Sequence, residues 1–353
     1  MSDLVTATDV EISRRRTLEQ TPEIIGWDRK VMPTGWFQVA WTHDIKPGDV
    51  KPLRYFKKDF VLYRTEDGRA IIQSAFCPHM GAHLGHGGHV DGDKIVCPYH
   101  GWEWGCDGVN KLVPSDGAPT KSGRILKNYH VAETNGIIWM WHDIHDREPM
   151  WPVLREYRNE GDFLEVQPAV VKLHEKLRLQ PQWIAENTVD VDHLIFVHKS
   201  EVIPTLASER GEIEYVVDGH IWYNNRPHPI QSSLTEGVGI HVIIIPQDPD
   251  QPRRLPSFLI GAVTPIDDNY SDFFHTNLVP QDTEVEGGDG PIPVGRAARR
   301  VKTLVEQGVR DLPIWENMVY INRPAYARCE AVMARFRKHC DQFYPNADAG
   351  KGA

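Results

Sequence analysis

The chain has 353 residues, a formal net charge of −10 at pH 7 and 41% hydrophobic residues, which is ordinary for a globular protein large enough for two domains. The negative charge argues against a nucleic-acid-binding surface, because such surfaces need clustered Lys and Arg. No apolar run approaches the roughly 18 residues of a membrane span, and the start lacks a signal-peptide pattern.

The first half of the chain predicts a small all-β domain built from hairpins. Asp67-Gly68 separates the apolar runs 60–63 and 70–72, and Asn135-Gly136 separates a strand around residue 130 from the run 137–141. An Asx-Gly pair between two β-type runs is typical of a hairpin with a type I′ turn. We therefore expect both pairs to form such turns.

The second half mixes strands and helices. Residues 163–171 predict a strand, and residues 181–196 predict a helix with proline in its first turn. The segments predicted after these are strands at 212–224 with a turn at Asp218-Gly219, 230–245, 256–265 and 272–279, a loop at 287–291 and a basic helix at 295–308. The last stretch carries an apolar stripe typical of an amphipathic helix, formed by Tyr326, Cys329, Val332, Met333, Phe336, Cys340 and Phe343.

These elements predict an α+β fold in three parts. Residues 1–35 are polar and are assigned to an N-terminal arm. Residues 36–145 form the β domain. Residues 146–353 form a second domain, in which an antiparallel sheet wraps against a long C-terminal helix and leaves room for a cavity.

Two short pairs of metal-binding side chains are the most informative motif in the chain: Cys77-x-His79 and Cys97-x2-His100. Two thiolates and two imidazoles are the ligand set of a Rieske [2Fe-2S] centre. A structural zinc site would accept the same set, but zinc-finger spacings group Cys with Cys and His with His. We therefore predict the iron–sulfur cluster. The other three cysteines are left as free thiols, which suits a cytoplasmic location: Cys106, Cys329 and Cys340.

A second motif, Asp190-x2-His193-x4-His198, lies within the predicted helix. Two imidazoles near a carboxylate suggest the two-His-one-carboxylate site of a mononuclear iron. Five residues advance an ideal helix by about 500°, so the two histidines can share a metal only if the helix ends or distorts between them. The alternative is a helix end with two incidental histidines. Asp190 lies three residues before His193 and can hydrogen-bond its imidazole.

The third iron ligand must be a carboxylate from elsewhere in the chain. Asp311 is favoured because the apolar residues 312–315 would bury it, and a buried carboxylate needs a partner. Asp272 lies on a predicted strand, whereas Asp282 and Glu316 are expected to be exposed.

With both motifs, the chain from about residue 35 onwards resembles the α subunit of the Rieske non-haem iron oxygenases. The resemblance implies a Rieske [2Fe-2S] domain followed by a helix-grip (START-like) catalytic domain. It places the cluster on Cys77, His79, Cys97 and His100, and the mononuclear Fe(II) on His193, His198 and Asp311. It also implies a homotrimer, in which Asp190 links His193 to His100 of the partner subunit.

The C-terminal part resembles the ketosteroid 9α-hydroxylase and sterol-desaturase branch of that family. The signature covers three short segments, namely 311–317, 320–324 and 342–344. It departs from the branch at Arg328-Cys329-Glu330, where an acidic-Gly-Pro step is usual, and at His339 and Cys340, where a Trp and an aromatic residue are usual. These departures bear on the substrate and not on iron ligation.

The resemblance implies an oxygenase that uses O2 and electrons to hydroxylate or desaturate a bulky apolar, steroid-like substrate. NAD(P)H and flavin would act through a separate reductase, with or without a ferredoxin, because the chain lacks a nucleotide-binding GxGxxG unit. The alternatives are an aromatic-ring or O-/N-demethylating oxygenase, and a non-catalytic electron carrier. Asn187 is a candidate hydrogen-bond donor beside the iron, and Trp315 belongs to either the pocket wall or the core.

Overall fold

The structure is a computed structural model that describes residues 31–202, 207–223, 225–234 and 237–345. The N-terminal arm predicted at 1–35 lies outside the described residues as far as residue 30. Within the described part of the chain, no helix is long and apolar enough to cross a membrane.

The N-terminal half consists of short antiparallel strands in three sheets. In chain order the strands are β1 Gly35–Trp41, β2 Val50–Tyr55, β3 Lys58–Arg64, β4 Ala70–Ser74, β5 His89–Asp91, β6 Lys94–Val96, β7 Glu103–Trp104, β8 Asn110–Leu112, β9 Asn128–Tyr129, β10 Val131–Thr134 and β11 Ile137–His142. The sheet orders are β1-β11-β10, β2-β3-β4-β9 and β5-β6-β7-β8. This half is therefore all-β, as predicted.

Both predicted hairpins form, but only one has the predicted turn. Asn135 and Gly136 have φ values of 56° and 69° and join Thr134 to its partner Ile137, which is the type I′ geometry. The prediction for Asp67-Gly68 is wrong, because the ladder of β3 and β4 already ends at Arg64 and Ala70. Five residues therefore make that connection, stabilised in part by the hydroxyl of Thr65, which accepts the Arg69 N–H at 2.9 Å.

In the described residues of the C-terminal half there are one large antiparallel sheet and five helices. The strands are β12 Val171–Leu177, β13 Ala207–Arg210, β14 Tyr215–Tyr223, β15 Arg226–Leu234, β16 Ile240–Ile245, β17 Ser257–Pro265 and β18 Ser271–Leu278, in the spatial order β12-β18-β17-β16-β15-β14-β13. The helices are α1 Pro181–Asn187, α2 His193–Phe196, α3 Gly295–Gly308, α4 Leu312–Trp315 and α5 Ala331–Cys340. The strands at 256–265 and 272–279 and the basic helix are confirmed to within a residue or two.

Three strand predictions in this half are wrong. The strand begins at Val171 and not at Phe163, because Pro168 opens a 3-10 turn at Pro168–Val170. Asp218-Gly219 is not a turn but lies in the middle of β14, paired with β15. The segment 230–245 is two strands, since β15 and β16 are separate elements of the sheet.

Two predicted helices differ from the structure in their extent. The segment 181–196 is interrupted, so that α1 ends at Asn187 and α2 begins at His193. The C-terminal helical segment spans 328–343 as a 3-10 turn, α5 and a second 3-10 turn, so Tyr326 lies outside it and is exposed. Phe336 and Phe343 are buried as predicted and pack against Tyr215 and Val217 of the sheet.

One hydrophobic core joins the two halves. Every residue of β1 is buried, because β1 pairs with β11 on one side and packs against the large sheet on the other. The Trp41 Nε1–H donates to the hydroxyl of Thr276 at 2.7 Å. Gly239 allows this close packing, since a Cβ there would lie 2.5 Å from the Phe37 ring. The N-terminal half is thus fixed on the sheet that carries the site described next.

Candidate active site

The two Cys-His pairs lie on loops that repeat one hydrogen-bond pattern. The Cys77 N–H donates to the Ala82 carbonyl at 2.8 Å, and the Cys97 N–H donates to the Trp102 carbonyl at 2.9 Å. In each loop the glycine four residues after the cysteine donates back to the cysteine carbonyl. Gly81 and Gly101 have φ values of 78° and 69°, a conformation that favours glycine. The spacing in sequence therefore encodes two matching loops.

The four side chains on these loops fit a [2Fe-2S] cluster. Cys77 and Cys97 are buried, whereas His79 and His100 are exposed, with their ring centroids 4.8 Å apart. Burial, and then the nearby Cys97 sulfur, raises the pKa of the Cys77 thiol, so a thiolate there needs a cation beside it. Sulfur donors inside and nitrogen donors at the surface match a cluster with one iron on each side.

Three more side chains converge in the second half of the chain. One possible ligand atom from each of His193, His198 and Asp311 lies within 4.8 Å of the others. The Nε2 atom of His198 is 3.1 Å from a carboxylate oxygen of Asp311, which is only 6% exposed. Two imidazoles and one carboxylate are the donor set that a mononuclear Fe(II) site uses, so the residues present fit that metal.

The local fold explains why two histidines five residues apart can meet. Helix α2 begins at His193 and ends at Phe196, before His198 is reached. Lys199 then adopts a φ of 63°, and the chain turns away. The helix therefore ends between the two histidines, as the geometry of a shared metal requires. Their role as iron ligands stays a prediction.

Hydrogen bonds fix which nitrogen of each imidazole faces the centre. The Nδ1 atom of His193 lies 2.5 Å from the Asp190 main-chain carbonyl, and the Nδ1 atom of His198 lies 3.0 Å from Oε1 of Gln307. Nδ1 carries the proton in each case, so Nε2 is left to bind a metal. The sequence did not point to Gln307. Its position four residues before Asp311, at the end of α3, is the signal that could have found it.

Asp190 and His193 form an interacting pair at the edge of the site. Their side chains are 3.8 Å apart. Although burial alone acts in the opposite direction for both groups, their interaction lowers the pKa of Asp190 and raises the pKa of His193, with Asp311 adding to the second effect. The Asp190 carboxylate is 35% exposed and is therefore accessible from outside the chain.

Among the described residues, none of the other candidate carboxylates belongs to the converging group. Asp272 accepts hydrogen bonds from the Tyr55 hydroxyl at 2.9 Å and from the Lys176 N–H at 2.8 Å. Asp282 was expected to be exposed, and that expectation is wrong. It is 1% exposed and accepts from Nε of Arg296 at 2.9 Å. Glu316 was also expected to be exposed, but it is half-buried beside the buried Trp315.

The three converging side chains lie on the wall of a cavity of about 370 Å³, within the usual range for small-molecule sites. Its apolar wall consists of Ile184, Leu194, Val217, Ile221, Ile243, Ile245, Leu259, Phe273, Leu304 and Trp315. Asn187 also lines it, whereas its hydrogen-bonding role stays a prediction. Trp315 satisfies both alternatives, because it lines the cavity and is 5% exposed in the core. Neither His339 nor Cys340 is part of the wall.

Two neutral histidines form part of the same wall. His241, Gly261 and His275 occupy one row across β16, β17 and β18. Burial lowers the pKa of His241 to about 4 and that of His275 to about 3. Both rings are therefore uncharged at neutral pH, and Nδ1 of His275 has no hydrogen-bond partner among the described residues.

Comparison with known proteins agrees with this geometry. The family profile of the Rieske [2Fe-2S] domain matches residues 35–130, and that of the 3-ketosteroid 9alpha-hydroxylase C-terminal domain matches residues 140–344. The chain belongs to the Rieske oxygenases. Within them it belongs to the branch that contains the ketosteroid hydroxylases and sterol desaturases.

Several characterised proteins are similar over most of the chain. Cholesterol 7-desaturase nvd of Bombyx mori is 30% identical over 338 residues, which is 88% of this chain and 69% of the relative. The oxygenase component of 3-ketosteroid-9-alpha-monooxygenase from Rhodococcus rhodochrous is 23% identical, covering 88% of this chain and 83% of the relative.

Solved structures share the fold. Dicamba monooxygenase bound to dicamba superposes with a TM-score of 0.63 at 16% identity, covering 90% of this chain and 98% of that one. NdmA of Pseudomonas putida CBB5 with caffeine gives a TM-score of 0.64 at 16% identity, covering 86% and 88%. As a Rieske oxygenase, the chain is an oxidoreductase with a [2Fe-2S] cluster and a mononuclear iron.

Proposed function

We propose that this Rieske oxygenase hydroxylates or desaturates a bulky apolar, steroid-like substrate. One observation carries the proposal: a largely apolar cavity of about 370 Å³ has His193, His198 and Asp311 on its wall. A substrate in that cavity lies beside the iron without needing to bind it. The names of the similar proteins, a cholesterol desaturase and a ketosteroid monooxygenase, support a steroid-like substrate.

Each side chain has a proposed role. Cys77, His79, Cys97 and His100 hold the cluster, and His193, His198 and Asp311 hold the mononuclear iron. When bound, the cluster supplies single electrons and the iron activates O2. Asp190 and Gln307 keep the Nδ1 protons of the two imidazoles in place, so that both Nε2 atoms remain available. The apolar wall excludes water from the substrate.

We propose that the chain works as a homotrimer in which Asp190 meets His100 of the partner subunit. The imidazole tips of the cluster loops are exposed, and their neighbours Met80 and Tyr99 are 65% and 62% exposed. Phe196, six residues after Asp190 at the end of α2, is 73% exposed. Large apolar side chains on both surfaces favour burial against another protein. A crosslink between Asp190→Cys and Tyr99→Cys variants would test the contact, and a monomeric active enzyme would contradict it.

A separate reductase must supply the electrons, because relatives are named as the oxygenase component of such a system. We propose that a ferredoxin is optional. Cys106, which forms no disulfide among the described residues, supports a cytoplasmic location. The arrangement of strands supports a domain division into 36–145 and 146–353.

Two of the departures from the steroid branch do not favour the demethylase alternative. The departures at His339 and Cys340 bear on the substrate, but both residues are buried on α5, and neither belongs to the described cavity wall. The carrier alternative predicts a single metal site, and it gives no reason for three converging ligands on a cavity wall.

The test is turnover with a surrogate reductase. Oxygen consumption and products should be measured for steroids, aromatic acids and methyl ethers, with wild-type protein and with His193→Ala. We expect steroid oxidation by the wild-type protein only, while both proteins keep the cluster absorbance. Oxidation of methyl ethers alone, or steroid oxidation by the variant, would contradict the proposal.

A further inference from the structure

One face of α3 forms part of the wall of the cavity. Arg300, Thr303, Leu304, Gln307 and Gly308 all belong to the wall, and their spacing of three, four, seven and eight residues puts them on a single helix face. Gln307 hydrogen-bonds the candidate iron ligand His198. Arg300 lies two turns earlier, about 10 Å along the axis. The helix therefore places a guanidinium at the end of the cavity remote from the iron.

Arg300 is incompletely paired. Its Nε–H donates to the hydroxyl of Ser257 at 2.8 Å, a residue with no exposed surface. Its Nη2 atom is buried and has no hydrogen-bond partner among the described residues. Burial, and then the positive charge of Arg254, lowers the pKa of Arg300 to about 10. The charged group that acts on Arg300 is thus another cation, and not a carboxylate that would neutralise it.

Other nitrogen-bearing side chains lie at the same end of the cavity as Arg300. Arg254 and His228 both line the cavity, and Nη1 of Arg254 is 3.2 Å from Nδ1 of His228. The side-chain amide of Gln251 also contacts that Nδ1 at 3.2 Å. Both contacts bring nitrogen-bearing side chains against one atom of the His228 ring. Two guanidiniums and an imidazole therefore lie at one end of a largely apolar cavity.

An incompletely paired guanidinium in an apolar cavity costs stability, whereas a carboxylate can accept two parallel N–H bonds from it. We propose that Arg300, assisted by Arg254, binds a carboxylate at the end of the substrate remote from the iron, so that the substrate is a steroid-like acid. This inference rests on the proposed function and narrows its substrate class. The acid would also set the orientation of the substrate, because its anchored end fixes which carbon lies beside the iron.

The test compares three ligands that differ only at one end: a steroid with a side-chain carboxylate, its methyl ester and the corresponding alcohol. Dissociation constants should be measured without turnover, by calorimetry or thermal shift, for wild-type protein and for Arg300→Met. Arg299→Met is the matched control, because Arg299 is an exposed arginine on the same helix. We expect the wild-type protein to bind the acid at least tenfold more tightly than the ester.

We expect Arg300→Met to weaken binding of the acid by about 10- to 100-fold, as for loss of a charged hydrogen bond, and to leave the ester unchanged. The control should bind all three ligands like the wild-type protein. Without ligand, Arg300→Met should melt at the same or a higher temperature, because it removes an incompletely paired, partly buried charge. A purely structural arginine would instead lower the melting temperature and weaken all ligands equally.

Three outcomes would overturn the inference: equal binding of acid and ester by the wild-type protein, equal losses for both ligands in Arg300→Met, or tighter binding of a steroid sulfate ester than of the acid. The proposed function fails separately. If neutral steroids are oxidised with the same efficiency as the acid, only the anion site is wrong. If no steroid, charged or neutral, is oxidised with a competent reductase, the proposed function itself is wrong.

Discussion

Replacing Gly308 by alanine tests the packing that shapes the cavity. A Cβ on Gly308 would lie 2.1 Å from Cε1 and 2.5 Å from Nε2 of His275, whereas ordinary contact begins near 3.4 Å. The ring would have to retreat by about 1.3 Å. His275 is 1% exposed and lies on an interior strand of the sheet. Its ring can therefore move only towards the cavity.

The cost follows from these distances. Overpacking a core costs about 1–3 kcal/mol, and the helix propensity of alanine over glycine returns up to about 1 kcal/mol. We expect Gly308→Ala to lose roughly 1–2 kcal/mol of unfolding free energy. That loss corresponds to a fall of roughly 2–8 °C in melting temperature for a domain of this size. Steroid binding should weaken as well, because the displaced ring takes up cavity volume.

A double-mutant cycle isolates the contact. In a His275→Ala background the ring is absent, so adding a methyl group at Gly308 should be neutral or stabilising by up to about 1 kcal/mol. Melting curves and chemical denaturation of the four proteins provide the comparison. If Gly308→Ala costs the same with and without the His275 ring, the steric reasoning is wrong.

Two further predictions concern single side chains. Burial, opposed by a contact from Nδ1 to the Pro33 carbonyl at 2.9 Å, lowers the pKa of His142 from 6.5 to about 4. The unfolded chain therefore takes up a proton between these values that the native state does not. The stability that depends on this residue should be full above pH 6.5 and should fall by about 1.3 kcal/mol between pH 7.5 and 5.5. Urea midpoints of His142→Gln should therefore depend less on pH than those of the wild-type protein. An equal pH dependence in the two proteins would contradict the prediction. Gln307→Leu removes the acceptor for His198, so the affinity for the mononuclear iron should fall about 10- to 100-fold. Competition with a chelator measures this affinity, and the cluster absorbance should stay unchanged. An affinity equal to that of the wild-type protein would show that Gln307 does not orient the ring.

The parts of the site that the sequence could predict are local. The glycines four residues after Cys77 and Cys97 close each loop through neighbouring backbone groups, so motif spacing alone specifies them. The need for a helix end before His198 follows from helical geometry. The choice of Asp311 followed from the apolar residues beside it, and that carboxylate is buried next to His198.

The parts that could not be predicted depend on contacts between distant segments. The sequence predicts an exposed loop residue at Asp282, because its partner Arg296 lies beyond a Gly-rich loop and cannot be recognised from the spacing. Asp218-Gly219 has the composition of a turn, but it lies in β14 because strands pair with it on both sides. Arg300 belongs to a basic helix, and only the packing of that helix reveals that it faces the cavity.

Asp311 is the carboxylate proposed to hold a mononuclear iron apart from the cluster. Iron and acid-labile sulfide per chain should be measured for the wild-type protein, Asp311→Asn and the control Asp272→Asn, whose carboxylate bonds Tyr55 instead. We predict about three iron atoms in the wild-type protein and the control, and about two in Asp311→Asn, with sulfide unchanged. Three iron atoms in Asp311→Asn, or zinc without sulfide in the wild-type protein, would contradict the account.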